Sequence, residues 1–468
     1  MSTNYIPRKR IARTWSRTLT RGIASLALGS LALGSLGWAA PQSTVEPVLG
    51  SSPESLGGSF SSPYVPPMSV QATGARTLEV TLNLPGQTWA ERFILALPAG
   101  QTGLAPVLVL FHGYGEDPRD VVLNTPLFAE ALLRGWVVVA PLGGHRYHYG
   151  IDYAQENIER TLEVLYTRLP LDPERLYAVG FSMGGGAAAS FAARHLDPAG
   201  PRFAAVVNHT GSTSLVSSWE TQGAQDVFES PLMFGATPYI APFGYRRSST
   251  VEHDAFTNTL SGERHMGLNL ARVPMRNAYG LFDANFGLVE QTQALHGYLG
   301  DTSEEIVLQS ATHSWATLDA ASTLDWLGGH ALQEPQPEEI VRTLADRSGA
   351  WNQVGLELRD ENAFGTILWS ARPSTDDLYL IDLENLARID VDLERVGLEP
   401  TPGQPLRVLT QTTDGAPAKL ELTGLGGPPT AVQYAGFAQG SWNYDASRDV
   451  LVLEETGSAG WARWTVLP

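Results

Sequence analysis

The chain has 468 residues, 43% of them hydrophobic, and this length is typical of two globular domains rather than one. It contains no cysteine, which excludes disulfides, thiolate metal sites and a cysteine nucleophile. The formal net charge is −18, which makes the protein a poor candidate for binding the phosphate backbone of nucleic acids.

The N-terminal segment is basic and then apolar, in contrast to the acidic remainder. Residues 1–39 contain six Arg or Lys and no acid, so removing them lowers the formal net charge from −18 to −24. An apolar stretch over residues 22–38 leads into Ala39-Ala40-Pro41. This order predicts a signal peptide over residues 1–39 and a secreted or periplasmic protein. The alternative is an uncleaved membrane anchor, since the stretch is near the lower length limit for spanning a bilayer.

The next part of the chain predicts a linker and then an α/β domain. Residues 40–75 are rich in Ser, Pro and Gly, which favours a flexible linker. Over residues 76–331, apolar strands alternate with helical patterns, as in a mostly parallel sheet flanked by helices. Between about residues 210 and 269 the alternation is lost, which predicts a lid or insertion. The predicted strands cover residues 107–111, 136–140, 176–180, 203–207, 273–282 and 305–308; the predicted helices cover 128–133, 158–169, 184–195, 289–299 and 320–327.

The C-terminal part has a different pattern. Residues 332–341 include Glu334-Pro335-Gln336-Pro337 and predict a second linker. Residues 342–468 contain short alternating segments punctuated by Gly, Pro and Asp, which favour a smaller all-β, sandwich-like domain. Five tryptophans of this domain are candidates for binding a polymer, although positions in its core are the favoured interpretation: Trp351, Trp369, Trp442, Trp461 and Trp464.

A single G-x-S-x-G motif, Gly180-Phe181-Ser182-Met183-Gly184, is present. An apolar strand precedes it and an Ala-rich helix follows, so Ser182 is expected on a sharp strand-to-helix turn with its hydroxyl exposed. The flanking glycines suit such a turn, because it crowds the neighbouring backbone. This context predicts that Ser182 is a catalytic nucleophile.

A serine nucleophile needs a base and an acid that orients the base, and both are expected after it in the chain. His313 follows the strand predicted over residues 305–308, at the strand end where catalytic groups collect in parallel sheets. Asp283 follows the preceding strand in the same way. We therefore predict Asp283 and His313 as partners of Ser182, in preference to the acids Glu290 and Asp301 and the histidines His296 and His330.

The oxyanion of a tetrahedral intermediate requires preorganised N–H donors. Met183, which follows the nucleophile, and Tyr114, in the loop His112-Gly113-Tyr114-Gly115 after an early strand, are the predicted donors. His112 is assigned a loop-shaping role. His148 and Trp315 are predicted to bind substrate. No cofactor is predicted, and no metal either, because the acidic residues match no EF-hand loop and no H-E-x-x-H occurs.

These motifs resemble those of a known family. His112-Gly113-Tyr114-Gly115, Leu171-Asp172-Pro173-Glu174-Arg175 and the Ser182 motif are similar to the polyhydroxybutyrate-depolymerase and feruloyl-esterase branch of the α/β hydrolases. Secreted prolyl-oligopeptidase-like predicted peptidases are also similar. The resemblance covers about residues 107–327 and implies the α/β-hydrolase fold. The chain departs from the family pattern in having no cysteine and in carrying Ala284-Asn285-Phe286 after the acid.

The favoured hypothesis is an exported serine hydrolase that cleaves small or polymeric carboxylic esters. A serine peptidase of prolyl-oligopeptidase type is the alternative among enzymes, and a non-catalytic polymer-binding protein on a hydrolase scaffold is the alternative from another class. No nucleic acid partner is expected, and membrane contact is expected only if the N-terminal segment stays uncleaved.

Overall fold

The structure is a computed structural model that describes residues 60–84, 87, 89–262, 264–309, 311–456 and 460–468. The predicted signal peptide lies outside these residues. In chain order the first strands are β1 (Phe60–Pro63), β2 (Arg76–Leu82), β3 (Glu91–Leu97), β4 (Ala105–Phe111), β5 (Val137–Pro141), β6 (Leu171–Phe181), β7 (Ala205–His209), β8 (His253–Asp254), β9 (Thr259–Leu260), β10 (Met275–Gly280) and β11 (Ser303–Leu308).

Within the described part of the chain, nine of these strands form one sheet in the order β1-β2-β3-β5-β4-β6-β7-β10-β11. Six neighbouring strands of this sheet run parallel, in the order β5, β4, β6, β7, β10 and β11. Strands β1, β2 and β3 extend the sheet beyond β5 through antiparallel pairs. Every residue of β5 and β7 is buried, as continuous apolar strands in a parallel sheet require. The predicted α/β architecture is confirmed.

Helices cover both faces of this sheet. They are α1 (Met68–Gln71), α2 (Pro118–Asn124), α3 (Leu127–Leu133), α4 (Asp152–Arg168), α5 (Met183–Arg194), α6 (Leu215–Thr221), α7 (Gln225–Phe228), α8 (Pro242–Ser248), α9 (Phe286–Leu299) and α10 (Ala320–Gly328). Alternate residues of β4 belong to two separate cores, because successive side chains of a strand point to opposite faces. Val107 and Val109 pack with α4, α5 and α9, whereas Leu108 and Leu110 pack with α2, α3 and α10.

The linker predicted for residues 40–75 is wrong for residues 60–71. Here β1 pairs with β2 at the edge of the sheet, and Val70 of α1 is buried in the core. An edge strand needs hydrogen-bond partners on one side only, so a Ser- and Pro-containing segment can provide it.

The segment predicted as a lid or insertion contains α6, α7, α8 and the hairpin β8–β9. We call α6–α8 the cap. Its side chains Leu215, Phe228 and Tyr245 form a small apolar core with Tyr149 and Met183. Because Met183 follows Ser182 directly, the cap packs against the start of the helix that carries the predicted nucleophile.

The C-terminal part consists of strands. They are β12 (Val341–Ala345), β13 (Gly349–Trp351), β14 (Val354–Leu358), β15 (Gly365–Arg372), β16 (Asp377–Glu384), β17 (Leu386–Asp392), β18 (Leu406–Thr412), β19 (Lys419–Thr423), β20 (Ala431–Gly436), β21 (Gln439–Asp445), β22 (Val450–Thr456) and β23 (Trp461–Leu467). The two sheets are β12-β15-β16-β18-β23-β20 and β13-β14-β17-β19-β22-β21. Both contribute to one apolar core, so the expected β-rich second region is confirmed.

The five tryptophans of this region divide into two groups. Trp351, Trp369 and Trp464 are buried in the core, as the favoured interpretation expected. Trp442 and Trp461 remain 45% and 46% exposed. They lie in β21 and β23, which belong to different sheets. They therefore do not share one sheet face, as a flat polymer-binding platform would require.

A buried ionic cluster joins the strands of the C-terminal part to the α/β part. Asp346, between β12 and β13, is fully buried; its carboxylate lies 2.6 Å from Nη2 of Arg194 at the end of α5 and 2.8 Å from Nε of Arg247 in the cap. Burial favours the neutral acid, but the arginines outweigh it and lower the pKa of Asp346 to about 2. Asn269 adds two hydrogen bonds to the backbone of Leu344.

Across the residues described, no helix is both long and apolar enough to span a bilayer.

Candidate active site

Ser182 sits at the junction of β6 and α5 in a strained backbone conformation, with φ 56° and ψ −123°. Its N–H donates to the carbonyl of His209 at the end of β7, 2.9 Å away. A Cβ at Gly184 would lie 2.2 Å from the Phe111 carbonyl oxygen, and one at Gly180 would lie 2.0 Å from that of Gly184. Only glycine fits at these two positions, which explains their place in the motif.

The structure brings the three predicted catalytic side chains together. Ser182 Oγ is 2.9 Å from Nε2 of His313, and Nδ1 of His313 is 2.8 Å from Oδ2 of Asp283. His313 lies in the loop after β11, and Asp283 lies in the loop after β10. Because β6, β10 and β11 are parallel strands of one sheet, their carboxyl ends place these loops at the same edge.

The surroundings of Asp283 hold its carboxylate in one orientation and keep it charged. The side chain is buried, and its other oxygen, Oδ1, accepts the backbone N–H of Asn285 at 2.8 Å. Burial alone would raise the pKa of Asp283, but the hydrogen bonds from His313 and Asn285 outweigh it, so the pKa is lowered. An ionised Asp283 can fix the His313 tautomer that leaves Nε2 free to accept a proton from Ser182.

Two backbone N–H groups beside Ser182 have no acceptor among the described residues: those of Met183 and Tyr114. Met183 is the first residue of α5, where an N–H has no partner within the helix. Tyr114 lies in the loop after β4, and both residues line the same cleft as Ser182 and His313. Their amides are therefore available to an oxyanion.

His148 does not lie where the sequence predicted. It is buried, its Nδ1 accepts the N–H of Gly150 at 3.0 Å, and its ring packs edge-on against His112 with 5.0 Å between centroids. Burial and the neighbouring His112 lower the pKa of His148 well below its usual value. The substrate-binding assignment of His148 is therefore wrong, because the loop after β5 turns this side chain into the protein.

Trp315 is also buried rather than exposed in the cleft. Its Nε1–H donates to Oε2 of Glu116 at 3.0 Å, and its ring lies 5.3 Å from that of Phe181. Contact with substrate is thus excluded in this structure, and the assignment of Trp315 to substrate binding is wrong. The residue supports the loop that carries His313 instead.

His112 has the loop-shaping position expected from the sequence. Its ring is buried, with Nδ1 2.8 Å from the carbonyl oxygen of Gly113 and Nε2 3.1 Å from that of Leu142. The rejected base candidates are occupied elsewhere. Nδ1 of His296 is 2.6 Å from Oγ of Ser303, and the ring of His330 packs against Trp326.

Two residues at the site were missed by the sequence analysis. Glu116 accepts hydrogen bonds from Gly113 and Trp315 through one carboxylate oxygen. His209, at the end of β7, is buried, and its Nε2 is 3.0 Å from Oγ1 of Thr317 in the His313 loop. Burial, together with His313, lowers the pKa of His209 to about 3, so this ring stays neutral. His209 could have been predicted from the sequence, because it is a polar residue at the end of a predicted parallel strand. No sequence pattern indicated the role of Glu116.

The cleft around Ser182 has a volume of about 510 Å³, within the usual range for small-molecule sites. Apart from His313 and the Glu116 carboxylate, its lining side chains carry no ionisable acid or base except tyrosines. Aromatic contacts connect one wall to the cap: Tyr114 lies 5.9 Å from Tyr149, which lies 4.4 Å from Phe228. The lining residues are Gly113, Tyr114, Glu116, Tyr149, Phe181, Ser182, Met183, Ser212, Gln222, Gly223, Ala224, Asn285, Leu288 and His313.

Comparison with protein families matches residues 106–241 to the alpha/beta hydrolase fold. The matched segment runs from β4 through the Ser182 turn into the cap, and the parallel strands continue beyond it. The chain has the α/β-hydrolase fold. Its Ser182, His313 and Asp283 arrangement is that of a serine hydrolase.

Solved structures with a similar fold include both esterases and peptidases. An S-formylglutathione hydrolase from Agrobacterium tumefaciens is 16% identical, with 55% of this chain and 96% of that chain covered and a TM-score of 0.42. A ferulic acid esterase is 18% identical, with 54% and 96% covered and a TM-score of 0.39. An acylaminoacyl peptidase from Pyrococcus horikoshii is 16% identical, with 51% and 37% covered and a TM-score of 0.37. A search of curated proteins gave no match.

Proposed function

We propose that this α/β hydrolase cleaves carboxylic esters through an acyl-enzyme on Ser182. The observation that carries the proposal is the hydrogen-bonded chain from Ser182 Oγ through His313 to the buried Asp283. Serine is a weak nucleophile at neutral pH, so it needs a base within hydrogen-bond reach, and that base needs an orienting acid. The three side chains meet both requirements.

In the first half of the reaction, Ser182 Oγ attacks the ester carbonyl carbon while its proton moves to Nε2 of His313. The carbonyl oxygen becomes an oxyanion that accepts the N–H groups of Met183 and Tyr114. When the intermediate collapses, the carbon–oxygen bond to the alcohol breaks and His313 returns the proton to the leaving oxygen. The acyl group remains on Ser182.

In the second half, His313 takes a proton from water, and the resulting hydroxide attacks the acyl carbon. The same two amides stabilise the second oxyanion. Collapse releases the carboxylic acid, and the proton on His313 returns to Ser182 Oγ. Asp283 stays ionised throughout and stabilises the imidazolium formed in each half.

The cleft chemistry supports a neutral substrate. The C-terminal carboxylate of a peptide carries a full negative charge, and a site for it would need a cation in the lining. No Arg or Lys lines the cleft in the described part of the chain. The segment that carries Asp283 also exposes Leu281, Phe282 and Phe286, which lie within four residues of the cleft-lining Asn285 in the sequence. An ester with an apolar portion would suit this exposed apolar surface.

A fluorophosphonate probe tests the reaction class. We expect one adduct, on Ser182, in folded protein and none in Ser182→Ala. Absence of an adduct in the native protein would refute both enzyme hypotheses and leave the non-catalytic polymer-binding alternative.

Matched p-nitrophenyl esters and p-nitroanilides of the same acyl groups then separate esterase from peptidase. We expect the esters to be cleaved with much higher kcat/KM than those anilides or longer peptide amides. Efficient cleavage of a peptide amide would favour the peptidase of prolyl-oligopeptidase type instead.

We also propose that the protein is exported. The support is the basic, then apolar, then small-residue order of residues 1–39. N-terminal sequencing of the protein recovered from the periplasm or the medium should give Ala40 as the first residue. Recovery of uncleaved chains in the membrane fraction would contradict a cleaved signal peptide.

A further inference from the structure

Glu116 connects two loops of the site that are far apart in sequence. Its Oε2 accepts the backbone N–H of Gly113 at 2.8 Å and the indole N–H of Trp315 at 3.0 Å. Gly113 precedes Tyr114, which presents one free amide to the cleft, and Trp315 is two residues beyond His313. One carboxylate oxygen therefore fixes the oxyanion-binding loop against the loop that carries the base.

The bridge encloses the residue before the nucleophile. The ring of Phe181 lies 4.5 Å from that of His313 and 5.3 Å from that of Trp315. A Cβ at Gly113 would be only 3.3 Å from Phe181 and 3.2 Å from Oε2 of Glu116. The three loops are thus packed around Phe181, and Glu116 supplies the hydrogen bonds that join the outer two.

We propose that Glu116 is a positioning residue that holds the Tyr114 amide in register with His313. The inference rests on the esterase function proposed above. One oxyanion-hole donor is worth about 10²–10³ in kcat, and a misplacement of about 1 Å costs about 10². A residue that sets the separation of donor and base is therefore expected to act on kcat rather than on substrate affinity.

The positioning role of Glu116 does not depend on its negative charge. A negative charge beside the cleft would destabilise the developing oxyanion, so the charge itself does not explain why a glutamate is suited to this position. Two donors converge on Oε2, while Oε1 has no donor among the described residues. The amide oxygen of glutamine could accept both hydrogen bonds with its NH₂ group in place of Oε1. The geometry requires an acceptor here and does not require an anion.

The test compares Glu116→Gln, Glu116→Ala and Trp315→Phe on p-nitrophenyl butyrate. Glu116→Ala should lower kcat about 10- to 100-fold with KM changed less than about threefold. Glu116→Gln should rescue most of that loss. Trp315→Phe removes the indole donor together with part of the buried ring and should lower kcat in the same way. The Glu116→Ala/Trp315→Phe double variant, if its melting temperature shows that it is folded, should be no worse than Glu116→Ala. Glu399→Ala, an exposed glutamate of the C-terminal part, is the control and should behave like the native protein.

Loss of activity in Glu116→Gln equal to that in Glu116→Ala, with a raised KM, would overturn the proposal in favour of a charge that binds substrate. Additive losses in the double variant would also overturn it. If Glu116→Ala does not fold, Glu116→Gln and Trp315→Phe decide alone, because the proposal requires high kcat in the first and low kcat with unchanged KM in the second. A native enzyme that neither binds the fluorophosphonate nor cleaves esters would instead refute the proposed function.

Discussion

Replacing Asp283 by asparagine tests the orientation of His313 more directly than removing the side chain. The backbone N–H of Asn285 donates to Oδ1 of Asp283 at 2.8 Å, so the amide oxygen of the introduced asparagine must occupy the Oδ1 position. Its NH₂ group then faces Nδ1 of His313 at the place of Oδ2. A donor there forces Nδ1 to accept, which puts the proton on Nε2, facing Ser182.

The expected magnitude follows from this tautomer. With Nε2 already protonated, His313 cannot take the Ser182 proton, and the same exchange in a well-studied serine protease lowers kcat about 10⁴-fold. That corresponds to about 5.5 kcal/mol of transition-state stabilisation, at about 1.36 kcal/mol per factor of ten. The overall fold should be kept, since the buried amide retains both hydrogen-bonding contacts.

The assay is kcat on p-nitrophenyl butyrate, with a thermal melt to check folding. Asp301→Asn is the matched control, because Asp301 is an exposed acid between α9 and β11 with no role in the site. We expect native activity from Asp301→Asn and a loss of about 10⁴-fold from Asp283→Asn. A folded Asp283→Asn within tenfold of the native rate would refute this account of the triad.

Three further predictions concern packing and charge. Gly184→Ala should abolish activity or folding, because its Cβ would lie 2.2 Å from the Phe111 carbonyl oxygen. Gly297→Ala in α9 is the control: its Cβ would meet no atom within 4 Å, so this variant should be neutral or stabilised by about 1 kcal/mol. Expression, melting temperature and ester hydrolysis of the two variants test this prediction. Asp346→Asn removes the buried carboxylate shared by Arg194 and Arg247 and leaves them the more exposed Asp152 as their partner, so it should lower the free energy of unfolding in urea by about 3 kcal/mol. A loss below about 1 kcal/mol would contradict the cluster's role. The pKa of Asp346 is about 2 in the folded protein and about 3.9 in an unfolded chain. Its contribution to the free energy of unfolding is therefore complete above about pH 4 and should be lost as the pH falls towards 2. This loss, on the order of 2–3 kcal/mol, should be absent in Asp346→Asn.

The sequence alone determined the six parallel strands, five of the helices beside them and the identity of the three catalytic candidates. Continuous apolar runs such as 107–111 are typical of strands buried on both faces, and the structure places β4 at the centre of the sheet. Ser182, Asp283 and His313 were predictable because each lies within five residues after the end of a strand. Parallel strands have their carboxyl ends at the same edge of the sheet, so residues that follow these strands in the sequence lie close together in the fold.

Only the tertiary structure decided which way the loop side chains point. His148 and Trp315 follow strand ends like the catalytic residues, yet both turn inward to meet partners on other loops. Trp315 and Glu116 are 199 residues apart, and no local pattern encodes such a contact. The same holds for β1 and for the Asp346 cluster, which depend on pairing and charge neutralisation between distant segments. Local sequence determines the periodicity of helices and strands, whereas the tertiary structure determines which groups are close enough to be hydrogen-bond partners of buried polar side chains.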